Sequence, residues 1–167
     1  TLLPNGSEGG SGEEGDRVWA KCSQAEPMPA YLFTAVCARL SCVETQWRER
    51  SVRYWVPLGR EEAVIRAMGK TPLMLEHFSN RTGVAYPWPR YDQVVVDDFI
   101  FGGMENVACT TMTDLLLVDA NAALEWDPDD LVAHELAHQW FGDLVTCQDW
   151  SQGWLNESWA TLMEAVW

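Results

Sequence analysis

The pentapeptide His134-Glu135-Leu136-Ala137-His138 constrains this 167-residue chain more than any other stretch of it. On a helix, its two histidines fall one turn apart on a single face, where both imidazoles reach one point with the Glu135 carboxylate beside them. That is the outline of a metal site. The flanking residues supply the helix. Asp127 suits the N-cap and Pro128 the first turn, Asp129 and Asp130 sit at the positive end of the dipole, and Gly142 follows the last apolar turn. Leu131, Ala137 and Phe141 give the segment an apolar side for burial.

H-E-x-x-H alone also occurs in ordinary helices whose histidines are solvated. A catalytic zinc needs three protein ligands and keeps one position open for water. After an eighteen-residue spacer (139–156) that ends on Asn156 stands Glu157, in what reads as the opening of a second helix. With Glu157 as third ligand beside His134 and His138, the pattern predicts one Zn2+ per chain. The remaining histidine, His77, closes an amphipathic segment and reads as a core or capping residue. Glu164, seven residues past Glu157 on the same helical face, reads equally well as a partner for a metal-bound histidine or as a surface charge, and is left outside the predicted site.

Composition narrows the partners. A formal net charge of −14 argues against nucleic acid, whose phosphates would repel such a surface. Five cysteines without a C-x-x-C pair indicate neither a disulfide framework nor a thiolate zinc site, and their apolar flanks predict buried thiols. No signal-peptide pattern and no bilayer-length apolar run is present, which predicts a cytoplasmic chain with no membrane segment. A first residue other than Met and a last residue within the Glu157 helix predict a fragment.

Taken in order, residues 1–17 are rich in Gly, Ser and Glu and read as a flexible loop between short strands at Leu2-Leu3 and Val18-Trp19-Ala20. Prolines at 27 and 29 mark a domain boundary near Glu26. Strands are expected at Ala30–Leu40, Ser51–Val56, Val94–Val96 and Leu115–Asp119, and one broken helix or two short ones across Arg60–Phe78. Gly102-Gly103 at a strand end permits close backbone approach by a ligand, with Glu105 as the next charge.

Together these residues resemble the aminopeptidase N family of zinc metallopeptidases. The likeness rests on Gly102-Gly103-Met104-Glu105-Asn106, on His134-Glu135-Leu136-Ala137-His138-Gln139-Trp140-Phe141-Gly142-Asp143 and on Trp154-Leu155-Asn156-Glu157. Weaker landmarks are Pro27-Met28-Pro29-Ala30-Tyr31-Leu32 and Tyr86-Pro87-Trp88-Pro89-Arg90-Tyr91-Asp92. The resemblance implies an α+β, thermolysin-like catalytic domain, truncated, over residues 27–167, with residues 1–26 the end of a preceding β-rich domain and a helical domain following.

It further implies an aminopeptidase that removes the N-terminal residue of peptides through a zinc-activated water, with Glu135 as general base and zinc on His134, His138 and Glu157. Gly102, Gly103, Met104, Glu105 and Asn106 would bind the peptide, Glu105 taking its free α-ammonium. The family's oxyanion tyrosine lies downstream of the third ligand, whereas Tyr31, Tyr54, Tyr86 and Tyr91 all lie upstream, so the fragment alone is expected to turn over poorly. A thermolysin-like endopeptidase and a non-catalytic scaffold are the competing readings. The first has no need of the Gly102–Asn106 motif, and the second usually loses ligands.

Overall fold

The computed structural model describes residues 1–167. In chain order its strands are β1 (Leu2–Pro4), β2 (Ser7–Glu14), β3 (Arg17–Ser23), β4 (Ala35–Cys37), β5 (Leu40–Trp47), β6 (Arg50–Pro57), β7 (Tyr91–Val96), β8 (Gly103–Met104) and β9 (Cys109–Thr113). The helices are α1 (Glu61–Met68), α2 (Thr71–Thr82), α3 (Asp129–Ala137) and α4 (Trp154–Val166). The class is mixed α+β.

Five strands form the main sheet, in the order β5-β6-β7-β9-β8. Its centre is parallel (β6 with β7, β7 with β9) and its two edges are antiparallel. Alternation decides which side chain goes where. Val52, Tyr54, Val56, Tyr91 and Val95 enter the large core that the helices cover. On the opposite side, Val94 and Cys109 meet Leu3 with Val36 and Trp55 against them, under the β1–β4 pair. A strand covered on both faces is buried along its length, as β9 is throughout and β7 is up to Val95.

The same two-sidedness explains a buried charge. Asp92 is fully buried and alternates with the core-facing residues, so it needs cationic partners there. Arg53 binds it through two nitrogens at 2.6 and 2.9 Å, Trp55 donates at 3.3 Å, and Arg90 completes the cluster. Arg90 also donates to the carbonyls of Gly6 and Pro4, at 2.7 and 2.8 Å, which ties the N-terminal segment to the sheet. The β1–β4 pair likewise joins residues on both sides of the expected boundary at Glu26.

Several local expectations are corrected. The Gly/Ser/Glu segment is not a loop: Ser7–Glu14 is strand β2, paired antiparallel with β3 across a register shift between Glu8 and Gly10. Main-chain bonds need no side chains, and the missing ones make room, since a Cβ on Gly12 would lie 3.0 Å from the Trp19 indole. The strand expected over Ala30–Leu40 is broken into a 3-10 turn at Ala30–Leu32, β4, and the start of β5. There the Asn5 and Asn106 side chains, not a neighbouring strand, take the Leu32 carbonyl, and Asn5 accepts from Thr34 N–H at 2.7 Å.

The strand expected at Leu115–Asp119 falls instead on Cys109–Thr113, and Asp114–Leu116 is a 3-10 turn in which the Leu115 amide donates to Thr113 Oγ1. The cysteines are also more exposed than their flanks suggest. Only Cys109 is buried, while Cys37 and Cys42 are exposed. The Arg60–Phe78 expectation resolves as two helices, α1 and α2.

Candidate metal centre

Helix α3 is shorter than its apolar pattern predicts. It starts after Pro128, with Asp127 Oδ1 accepting from Asp129 N–H at 3.0 Å, and ends at Ala137. Tighter turns carry the chain through His138, Gln139 and Trp140. Both histidines still present one face. Their Nε2 atoms lie 3.1 Å apart, and the Glu157 Oε2 on α4 lies 3.2 Å from His134 Nε2 and 3.4 Å from His138 Nε2.

The opposite ring nitrogens decide the protonation of this triangle. His138 Nδ1 lies 2.9 Å from the Phe141 carbonyl, which can only accept, so Nδ1 donates and Nε2 presents its lone pair. His134 Nδ1 lies 2.5 Å from Glu164 Oε1, which orders that ring the same way. Glu164, which the sequence reading leaves out, is therefore part of the site, and its seven-residue offset from Glu157 is the signal that points to it. Gly142, at φ +134°, accommodates the His138 ring, because a Cβ there would sit 3.3 Å from His138 Nδ1.

Two imidazole lone pairs and a carboxylate oxygen converging within 3.4 Å repel one another unless a cation sits between them. Edges of 3.1 to 3.4 Å also match the face of a tetrahedron around an ion held at ~2.0–2.1 Å, whose edges are about 3.3 Å. His134, His138 and Glu157 thus form a cluster that could hold a metal ion. Without one, a proton takes its place. Burial pushes the His134 pKa down, but the hydrogen bonds its ring donates to Glu157 and Glu164 outweigh it and raise the pKa to about 9. The same pairing holds the Glu157 carboxyl well below its ordinary range.

Glu135 faces the same cleft but is not one of the three converging donors. It is buried, and its carboxyl lies against the main chain of β8, where a Cβ on Gly103 would come within 2.3 Å of Glu135 Cδ. Burial raises its pKa to about 7, against the pull of His138 and His134 and with the push of Glu105 and Glu157. The cleft measures about 560 Å3 and is lined by Gly102, Gly103, Met104 and Glu105 on one side and the three donors with Glu135 and Glu164 on the other. A larger cavity, about 680 Å3, lies between the β2–β3 hairpin and Trp55 and contains no such donor cluster.

Asn106 does not line the cleft. Its Oδ1 accepts from Thr111 Oγ1 at 2.9 Å and its Nδ2 reaches the Leu32 and Phe33 carbonyls, so it holds the segment behind Glu105. Gln139, in the motif but without a predicted role, does similar work: it donates to the Glu105 carbonyl at 3.2 Å and accepts from Ala108 N–H at 2.9 Å. Asp143 is buried with both carboxylate oxygens unpartnered, and burial beside Glu105 and Glu135 pushes its pKa well above the carboxylate range. In sequence it only closes the His134–Asp143 motif, with no role assigned. Tyr54, Tyr86 and Tyr91 are fully buried in the core.

Two helices beside a mixed sheet thus bring together a His-His-Glu cluster of the kind that could hold a metal ion. The sequence model of the peptidase family M1 domain matches residues 66–167. The chain belongs to this family, that of aminopeptidase N. It is 39% identical over 140 residues to mitochondrial aminopeptidase 2 of Saccharomyces cerevisiae, covering 81% of this chain and 15% of that protein. It is 35% identical over 154 residues to aminopeptidase Ey of Gallus gallus (85% and 16%), and 33% identical over 163 residues to aminopeptidase N of Bos taurus (90% and 17%). The chain therefore spans about a sixth of the length of these relatives.

Proposed function

We propose that the chain carries the catalytic centre of a zinc-dependent aminopeptidase on a thermolysin-like domain, acting on peptides with a free amino terminus. The observation that carries the reading is the convergence of two imidazole Nε2 atoms and one carboxylate oxygen within 3.4 Å, with Glu135 against the strand that would present the peptide. His134, His138 and Glu157 would hold the ion, leaving a position open toward the cleft. A zinc ion bound there supplies Lewis acidity and an acidified water.

The chain's own residues do the rest. Glu135, with a pKa near neutrality, takes a proton from the attacking water and delivers it to the departing amine. The open backbone of Gly102–Met104 admits the peptide main chain close to Glu135. Glu105, buried at the end of that strand, pairs with the substrate's α-ammonium. A blocked amino terminus would leave that carboxylate buried without a partner, which favours an exopeptidase over an endopeptidase.

The test has two parts. Metal analysis should return one zinc per chain, and, in a chain of relatives' length, chromogenic amino-acid amides should be cleaved while their acetylated counterparts are not. Cleavage of acetylated peptides would establish the endopeptidase, and zinc-loaded protein from a chain of relatives' length that cleaves neither would establish the scaffold.

A further inference from the structure

Of the three donors, Glu157 is the one that nothing else restrains. Glu164 orders His134 and the Phe141 carbonyl orders His138, whereas the Glu157 side chain, 62% exposed, bonds only to the two imidazoles. Its position has to come from the first turn of α4. That turn has no side-chain cap.

Asn156 supplies the missing anchor. Its side chain is buried and joins three segments distant in sequence. Oδ1 accepts from Cys147 N–H at 3.3 Å in the connector after α3, and Nδ2 donates to Tyr31 Oη at 3.4 Å. Tyr31 is itself fixed, its ring edge-on to Trp150 at 4.9 Å and the next carbonyl, Leu32, taken by Asn5 and Asn106. Gly142 separates the two anchored groups, since a Cβ there would meet His138 Nδ1 at 3.3 Å and Asn156 Nδ2 at 3.5 Å. The carboxamide thus sits behind the α4 turn as the Phe141 carbonyl sits behind the His138 ring.

We infer that Asn156, braced by Tyr31 and the Cys147 amide, is a positioning residue for the third metal donor: it sets the roll of the first turn of α4 and so the place of Glu157. The inference rests on the metal reading of the cluster. A group that orients a ligand in this way typically changes metal affinity by about 10–100-fold when removed.

Chelator-competition titration with zinc at neutral pH, on the full chain, reads this directly. Asn156→Leu, of similar volume, should raise the zinc Kd about tenfold or more at unchanged stoichiometry. Asn156→Asp keeps the acceptor for Cys147 N–H and lets the Tyr31 hydroxyl donate, so it should restore most of the affinity. Tyr31→Phe should give a smaller rise. A merely structural asparagine would lower the melting temperature of Asn156→Leu and leave its Kd at the wild-type value, which overturns the inference. Where Asn156→Leu does not fold, wild-type affinity in Tyr31→Phe overturns it. Failure of the unaltered chain to bind zinc overturns the metal reading, and this inference with it.

Discussion

Two groups of buried carboxylates lie on different sides of the same sheet, and they are handled in opposite ways. Asp92, under the N-terminal strands, has Arg53 and Arg90 against its oxygens and a tryptophan donor besides. Glu135 and Asp143, on the helical side, have no arginine or lysine against them, and Asp143 has no hydrogen-bond partner for either oxygen. The first arrangement holds segments together. The second keeps carboxyl groups at high proton affinity beside a cluster of metal-binding type, a distribution expected where proton transfer is the task.

The largest test of this contrast is Glu135→Gln. Loss of a general base removes about 10²–10⁴-fold in turnover of an unblocked substrate. Zinc content should stay at one per chain, since Glu135 is not a donor. A variant that retains near-wild-type kcat/KM would place the base elsewhere.

Asp92→Asn and Asp143→Asn form a matched pair. The first leaves two arginines beside a group that no longer neutralises them and should destabilise by about 3–5 kcal/mol. The second replaces a buried carboxyl of raised proton affinity, which has no ion-pair partner to lose, with a neutral amide of the same shape, and should change stability by under about 1 kcal/mol. Denaturant midpoints of the two variants measure the difference. Equal destabilisation would erase the comparison.

Glu164→Gln tests the group that orders His134. Its expected effect is a rise of about 10-fold or more in the zinc Kd, read by chelator competition.

The smallest effect is a pH dependence. In the metal-free chain the folded pKa values of Glu135 (about 7), His134 (about 9) and Asp143 all lie above their ordinary values. The folded state then holds more protons than the unfolded one, so stability falls as pH rises from about 5 to about 9. Glu157, with its pKa lowered, contributes stability that is lost only on acidification below the ordinary carboxylate range. Melting temperatures of chelator-treated protein across that range should decline toward alkaline pH. Zinc should flatten the slope, because bound imidazoles give up the proton that makes the difference.

How much of this was legible beforehand differs from element to element. β6 was readable because Val52, Tyr54 and Val56 alternate with polar or amphipathic neighbours, and α1 and α2 because apolar positions recur at helical spacing around Gly69 and Pro72. The β2–β3 hairpin was not, since Gly-Gly-Ser-Gly carries the composition of a loop and pairs only through its main chain. The Ala30–Leu40 break was hidden for a related reason: the groups that replace a neighbouring strand, Asn5 and Asn106, are far away in sequence. Within the site, Glu164 was visible as a spacing, and Gln139 and Asp143 as motif residues without a role.

The sequence by itself determined the donor types and their order, because H-E-x-x-H is a local pattern that the helical repeat turns into one face. It also determined that Glu157 opens a second helix, and the family likeness follows from the same residues. Only the tertiary structure decided that these helices meet with their donors 3.1 to 3.4 Å apart, that Gly103 leaves room for the Glu135 carboxyl, and that Glu164 and Asn156 stand behind the site. Such distances depend on how separate segments pack against one sheet, and packing between residues far apart in the chain leaves no periodic trace in it.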